Sequence, residues 1–121
     1  MEYSSAVERE SGRYPGVKFA VARMSLARRI ELGRSIRAAG LKSEFLQASE
    51  RVEDQIEAGV IHRQVERIYL EWGLRWISGL SIDGEAATPA LLIDSGPEDL
   101  AAEILSAIKS EIYLSEEERK N

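Results

Sequence analysis

The sequence predicts an α+β domain dominated by helix, with three main helices, a small N-terminal strand and a short β-hairpin. Three observations carry this. Apolar residues recur at steps of three and four between residues 26 and 72 and again between 100 and 112, the period of a helix with one buried side. Val17, Phe19 and Val21 alternate with Lys18, Ala20 and Ala22, the period of a half-buried strand. Asp83-Gly84 follows a run of strand formers from Leu74 to Ile82, and such a pair favours a tight hairpin because Gly tolerates positive φ.

Residues 1–15 are polar, lack periodicity and end at Tyr14-Pro15-Gly16. They predict a flexible N-terminal arm, which leaves 16–121 as a single helical domain with a small sheet. After the strand over 17–22, Ser25 is placed to cap a helix of about four turns over residues 25–39. Its apolar side is Leu26, Ile30, Gly33 and Ile36 or Arg37, and Gly40 is the stop. Arg28, Arg29, Arg34 and Arg37 are assigned to a basic outer side.

Ser43 is the expected cap of the longest helix. Phe45, Val52, Ile56 and Val60, continued by Ile61, Val65, Ile68 and Trp72, are its expected buried stripe. Gly59 marks a bend or a close helix contact, since glycine costs about 1 kcal/mol relative to alanine inside a helix. Glu53, Glu57, Arg67 and Glu71 look solvated, and the helix should end near Gly73. A strand over 75–82 then turns back at Asp83-Gly84 towards Glu85-Ala86-Ala87. Thr88-Pro89 opens a short helical turn with Leu91, Leu92 and Ile93 on its apolar side. Gly96-Pro97-Glu98-Asp99 starts the last main helix, with its acids at the positive end of the dipole. Leu100, Ile104, Leu105, Ile108 and Ile112 are its core stripe, and Ser115 to Glu118 has the form of a capping box for a frayed turn.

Composition narrows the function. The 121 residues suit one domain, and no run approaches the roughly 18 apolar residues that span a bilayer. The segment Met1–Glu10 lacks the apolar core of a signal peptide, so a cytoplasmic location is the default. The chain has no cysteine and so no disulfide or thiolate metal site. The net charge of −5 is uneven: residues 13–42 hold eight Lys or Arg against Glu31 alone, whereas residues 43–121 hold seven basic and 17 acidic residues. Such asymmetry marks either an anionic-partner surface or two halves that attract one another.

No constellation for catalysis stands out. His62 is the one histidine, and Glu66 at i+4 is the only carboxylate at helical spacing from it. Two ligands fall short of a zinc site, and a serine nucleophile would have no other imidazole as base. The acids Glu53/Asp54/Glu57, Glu98/Asp99 and Glu116/Glu117/Glu118 fit helix faces or helix starts. No glycine-rich phosphate loop occurs. The expectation is a non-enzymatic chain with no catalytic, cofactor or metal residues.

A small nucleic-acid-associated regulator is the alternative, with Arg28, Arg29, Arg34 and Arg37 as anionic-partner contacts. It is disfavoured because the aromatics Tyr69, Trp72 and Trp76 lie in the acidic part of the chain. Trp72 reads as core, while Trp76 reads equally as core or interface. Trp76, Leu80, Leu91 and Leu92 are the expected partner-binding residues, since the stripes supply more apolar surface than one small core hides.

The order of segments resembles the tail assembly chaperones of phage and prophage gene clusters. The resemblance covers residues 16–121. It rests on Gly16-Val17-Lys18-Phe19-Ala20-Val21-Ala22-Arg23-Met24-Ser25 leading into a basic helix, and on Tyr69-Leu70-Glu71-Trp72-Gly73-Leu74. It extends to Ile82-Asp83-Gly84-Glu85-Ala86-Ala87-Thr88-Pro89 and the acidic end Leu114 to Asn121. It implies a helical domain with an N-terminal β element in the cytoplasm of a bacterial host. The implied task is to coat the tape-measure protein and keep that long helical chain soluble, with room for self-association and with no catalytic residues.

Overall fold

A computed structural model describes residues 1–120. The element order is β1 (Ala6–Glu10), β2 (Lys18–Ala22), α1 (Leu26–Gln47), α2 (Val52–Gly73), β3 (Leu74–Ser78), β4 (Ser81–Ile82), β5 (Glu85–Ala86), α3 (Pro89–Ser95) and α4 (Glu98–Lys120). The fold is α+β and predominantly helical, as the periodicities predict. The chain forms two compact units, Met1–Met24 with Leu70–Asn121, and Ser25–Tyr69. Within the span 16–121, expected as one helical domain with a small sheet, residues Ser25–Tyr69 make up a unit of their own.

The first unit is built on an antiparallel sheet ordered β1-β2-β3. Phe19 pairs with Arg9 and Ile77, Val21 with Val7 and Leu74, and Ala20 with Glu8 and Trp76. The register shifts between Ala20 and Val21, an irregularity that lets two residues of β3 face one of β2. As the central strand, β2 is buried from Phe19 to Ala22. Helix α4 packs against it. Phe19, Val21, Leu92, Leu100, Ile104 and Ile108 are the largest fully buried side chains.

Residues 1–15 are not a free arm. Ala6–Glu10 forms β1, an edge strand held by its backbone ladder rather than by apolar alternation, so no periodicity announced it. A row of acids on α4 fastens this segment. Arg9 pairs with Glu111 at 3.2 Å. Buried Ser11 donates to Glu103 at 2.6 Å, and the Gly12 amide donates to the same carboxylate at 2.8 Å. Tyr14 donates its hydroxyl to Asp99 at 2.7 Å. That hydrogen bond, helped by desolvation and by the Asp99 charge, raises the Tyr14 phenol above its ordinary value of 10.0. Its contribution to stability is therefore complete below pH 10 and fades as the pH climbs past the raised value.

The strand expected over 75–82 is broken at Gly79, where φ is +80. A Cβ there would run into the Gly16 carbonyl. Leu74–Ser78 consequently joins the sheet, while β4 pairs with β5 across Asp83 (φ 51) and Gly84 (φ 82), the turn that the Asp-Gly pair predicts. Gly79→Ala should lose about 2 kcal/mol or more, from the positive φ and the backbone collision together. Chemical denaturation measures it, and an unchanged midpoint would contradict the turn geometry. The Thr88 hydroxyl caps α3 from Leu91 N at 3.1 Å, with Pro89 in its first turn.

In the second unit Ser25 caps α1 as expected, accepting from Arg28 N at 3.3 Å. Gly40 does not end that helix, which continues through Ser43 to Gln47. Glycine lowers helix propensity but stops a helix only where the chain leaves helical geometry, and here it does not. The break falls at Ala48–Arg51, where the Ser49 hydroxyl accepts from Arg51 N at 3.1 Å and donates to Asp54 at 2.7 Å. Gly59 makes no close helix contact, since nothing lies within 4 Å of where its Cβ would be. At the other end of the chain α4 runs to Lys120, beyond the frayed turn expected there. The side chains of the Ser115–Glu118 box lie outside the described residues.

Candidate partner-binding surface

Helices α1 and α2 each carry apolar residues on two sides, and the expected stripes mix the two: Ile36, Ile61, Val65, Ile68 and Trp72 lie on the buried side, whereas Leu26, Ile30, Val52, Ile56 and Val60 lie on the exposed one. On α1 the buried position is Leu32, with Ile36, Ala39 and Leu46 half-buried near it. At 100° per residue these four fall within about 80° of one another. Leu26, Ile30, Leu41 and Phe45 share a different arc, about 100° wide. All four of these are exposed.

The same division holds on α2. Ala58 and Ile61 are buried and Val65, Ile68 and Trp72 half-buried, all on one side. Val52, Ile56 and Val60, at steps of four, lie on another side and are exposed. The expected single stripe joined Val60 to Ile61, a one-residue step that turns about 100° around the helix. That join merged two faces into one.

Seven large side chains, Leu26, Ile30, Leu41, Phe45, Val52, Ile56 and Val60, are thus between 47% and 81% exposed along two helices of 22 residues each. The signal in the sequence was their excess: each helix has more apolar positions than one face holds.

The residues singled out for binding a protein are dispersed in burial. Trp76, at 37% exposure on edge strand β3, remains accessible. Leu80 and Leu91 are half-buried. Leu92, at 1% exposure, is core rather than surface, because α3 turns it inward beside Gly96, where a Cβ would meet it at 2.6 Å.

The four arginines do not form one basic face. Arg34 and Arg37 are exposed, and helical geometry puts them inside the outward stripe of Leu26, Ile30, Leu41 and Phe45. Arg28 and Arg29 are half-buried and project elsewhere. The reading of a basic outer side fails because steps of one, five and three residues spread around a helix.

His62 is exposed, and Glu66, its neighbour at i+4, pairs with Arg63 at 2.8 Å. Among the described residues no group of three or more His, Asp or Glu is placed to hold a metal ion. No helix of the described residues is long and apolar enough to cross a membrane. No family model matches the chain, and no curated protein or solved structure does either.

Proposed function

We propose that this chain is a non-enzymatic, protein-binding assembly factor of the phage tail type. It works in the host cytoplasm and keeps a long helical tape-measure protein soluble until that protein is built into a tail. The observation that carries the reading is the pair of outward apolar stripes on α1 and α2. Large apolar side chains left exposed in such number mark a site that another protein covers. Stripes at steps of four suit an amphipathic helix laid alongside. Trp76 adds an accessible aromatic of the kind that anchors interfaces.

The test is co-expression with a tape-measure-like helical protein, followed by pull-down and sizing at low and high salt. The expected result is a salt-resistant complex that holds the partner in solution. Trp76→Ala should weaken that complex while the helical circular dichroism stays intact; a globally unfolded variant would make Trp76 a core residue. If the partner precipitates and the chain instead retains nucleic acid that salt releases, the regulator reading through Arg34 and Arg37 replaces this one.

A further inference from the structure

We propose that the outward stripe of α1 seats an amphipathic helix of a partner protein whose apolar face carries a pair of acidic residues at its centre. This rests on the reading of the stripes as protein-binding surface, and it specifies the chemistry of what α1 takes.

The stripe has an order. From its N-terminal end it runs Leu26, Ile30, Arg34, Arg37, Leu41 and Phe45, at steps of four, four, three, four and four. Two apolar residues stand at each end and two arginines between them. All six are exposed. Among the described residues neither Arg34 nor Arg37 forms an ion pair. Glu44 stands at the margin of the arc, about two turns beyond Arg37. The middle of an apolar surface is therefore held by two cations that no carboxylate of α1 answers.

Charge and position together choose the occupant. Arg63 and Arg67 fall within the outward arc of α2 just as Arg34 and Arg37 fall within that of α1. A second copy laid stripe on stripe would thus set arginine against arginine. A nucleic acid would engage the arginines but leave Leu26, Ile30, Leu41 and Phe45 in water. An anionic membrane suits arginines at the borders of an apolar stripe, where they reach the headgroups, and not at its centre. An amphipathic helix with acids at the matching places answers both features. Its apolar residues cover the two ends, and its carboxylates pair with the arginines as water is excluded. The steps read the same in either direction, so one spacing serves a parallel or an antiparallel helix. The stripe is about 29 Å long, which asks for a helix of roughly 20 residues. Gly33 and Gly40 flank it with nothing within 4 Å of where a Cβ would stand, which leaves room for a second backbone to come close.

Titration of the full chain with a synthetic helical peptide tests this. The peptide repeats the spacing of the α1 stripe, with leucines in the apolar places, glutamates in place of the two arginines, and alanine and glutamine elsewhere. The expected finding is a one-to-one complex of micromolar affinity, readable between about 1 and 100 μM. A peptide with lysines for the glutamates should bind at least about 10-fold more weakly. Arg34→Glu combined with Arg37→Glu should reverse that preference, a result that loss of folding cannot produce. Phe45→Ser, at a position 78% exposed, should weaken binding with unchanged helical circular dichroism. Equal binding of both peptides, or of neither, overturns the proposal. So does binding to phosphatidylserine vesicles or to duplex DNA in place of the acidic peptide. If the doubly substituted chain still captures a tape-measure-like helical protein as tightly as the wild type does, the acidic match is overturned and the protein-binding function stands. If neither the acidic peptide nor such a protein binds, both readings fall.

Discussion

Phe19→Ala is expected to remove about 3–5 kcal/mol of folding stability, whereas Phe45→Ala should change the stability of the monomer by no more than about 0.5 kcal/mol. The chain has only these two phenylalanines. Phe19, 2% exposed, pairs with Ile77 on the central strand, and Phe45, 78% exposed, points outward from α1. Truncating Phe19 opens a cavity among residues that cannot collapse fully, since a strand fixed on both sides has little freedom to shift. Against a total stability of order 5–15 kcal/mol, that loss leaves a marginal or unfolded chain. Urea titrations of both variants at concentrations below any self-association measure the contrast. Equal losses would mean that α1 buries Phe45 and that its inward and outward sides have been exchanged.

Glu103→Ala should cost about 1–3 kcal/mol, a large effect for a residue that is not itself in the core. Its carboxylate accepts from Ser11 and from the Gly12 amide, while Ser11 accepts in turn from Tyr14 N at 3.0 Å. Removing the acceptor leaves a buried hydroxyl without its charged partner, and the turn between β1 and β2 loses its tie to α4. Glu103→Gln, which keeps an oxygen but turns a donor towards one of the two donors, should fall between the wild type and Glu103→Ala. Hydrogen exchange at Ser11 and Gly12 gives the local readout: faster exchange there in both variants is expected, and unchanged protection would rule out the tie.

Those two cases also show what a single sequence discloses. The alternation at Val17–Val21, the Ser25 and Thr88 caps and the Asp83-Gly84 turn are all local chemistry, and each led to the correct element. The stripe on α4 was legible because only one side of that helix is apolar. On α1 and α2 periodicity established helix but could not choose between two apolar sides, so the expected stripes took residues from both. Leu32 and Ala58, absent from the expected stripes, are buried there, and so is Ile61, which belongs to them. Strand β1 was invisible because backbone pairing with β2 and a carboxylate of α4 hold it, and neither leaves an apolar alternation in the sequence. Leu92 and Trp76 came from one apolar neighbourhood, yet one is sealed and the other accessible.

The helical unit leaves the sheet after β2 and returns at β3, and these two strands are hydrogen-bonded neighbours. The strands that bracket it are therefore side by side, with Val21 opposite Leu74. Topologically the helical pair is an excursion from a single hairpin-like junction, so its length can vary without altering the strand order. Closing a loop costs free energy only as the logarithm of its length, about 0.6 kcal/mol per doubling. Descendants of this chain could accordingly lengthen, shorten or exchange the excursion while β1, β2, β3 and α4 stay as they are. The two helices are free to drift, and the pairing of the strands that bracket them is not.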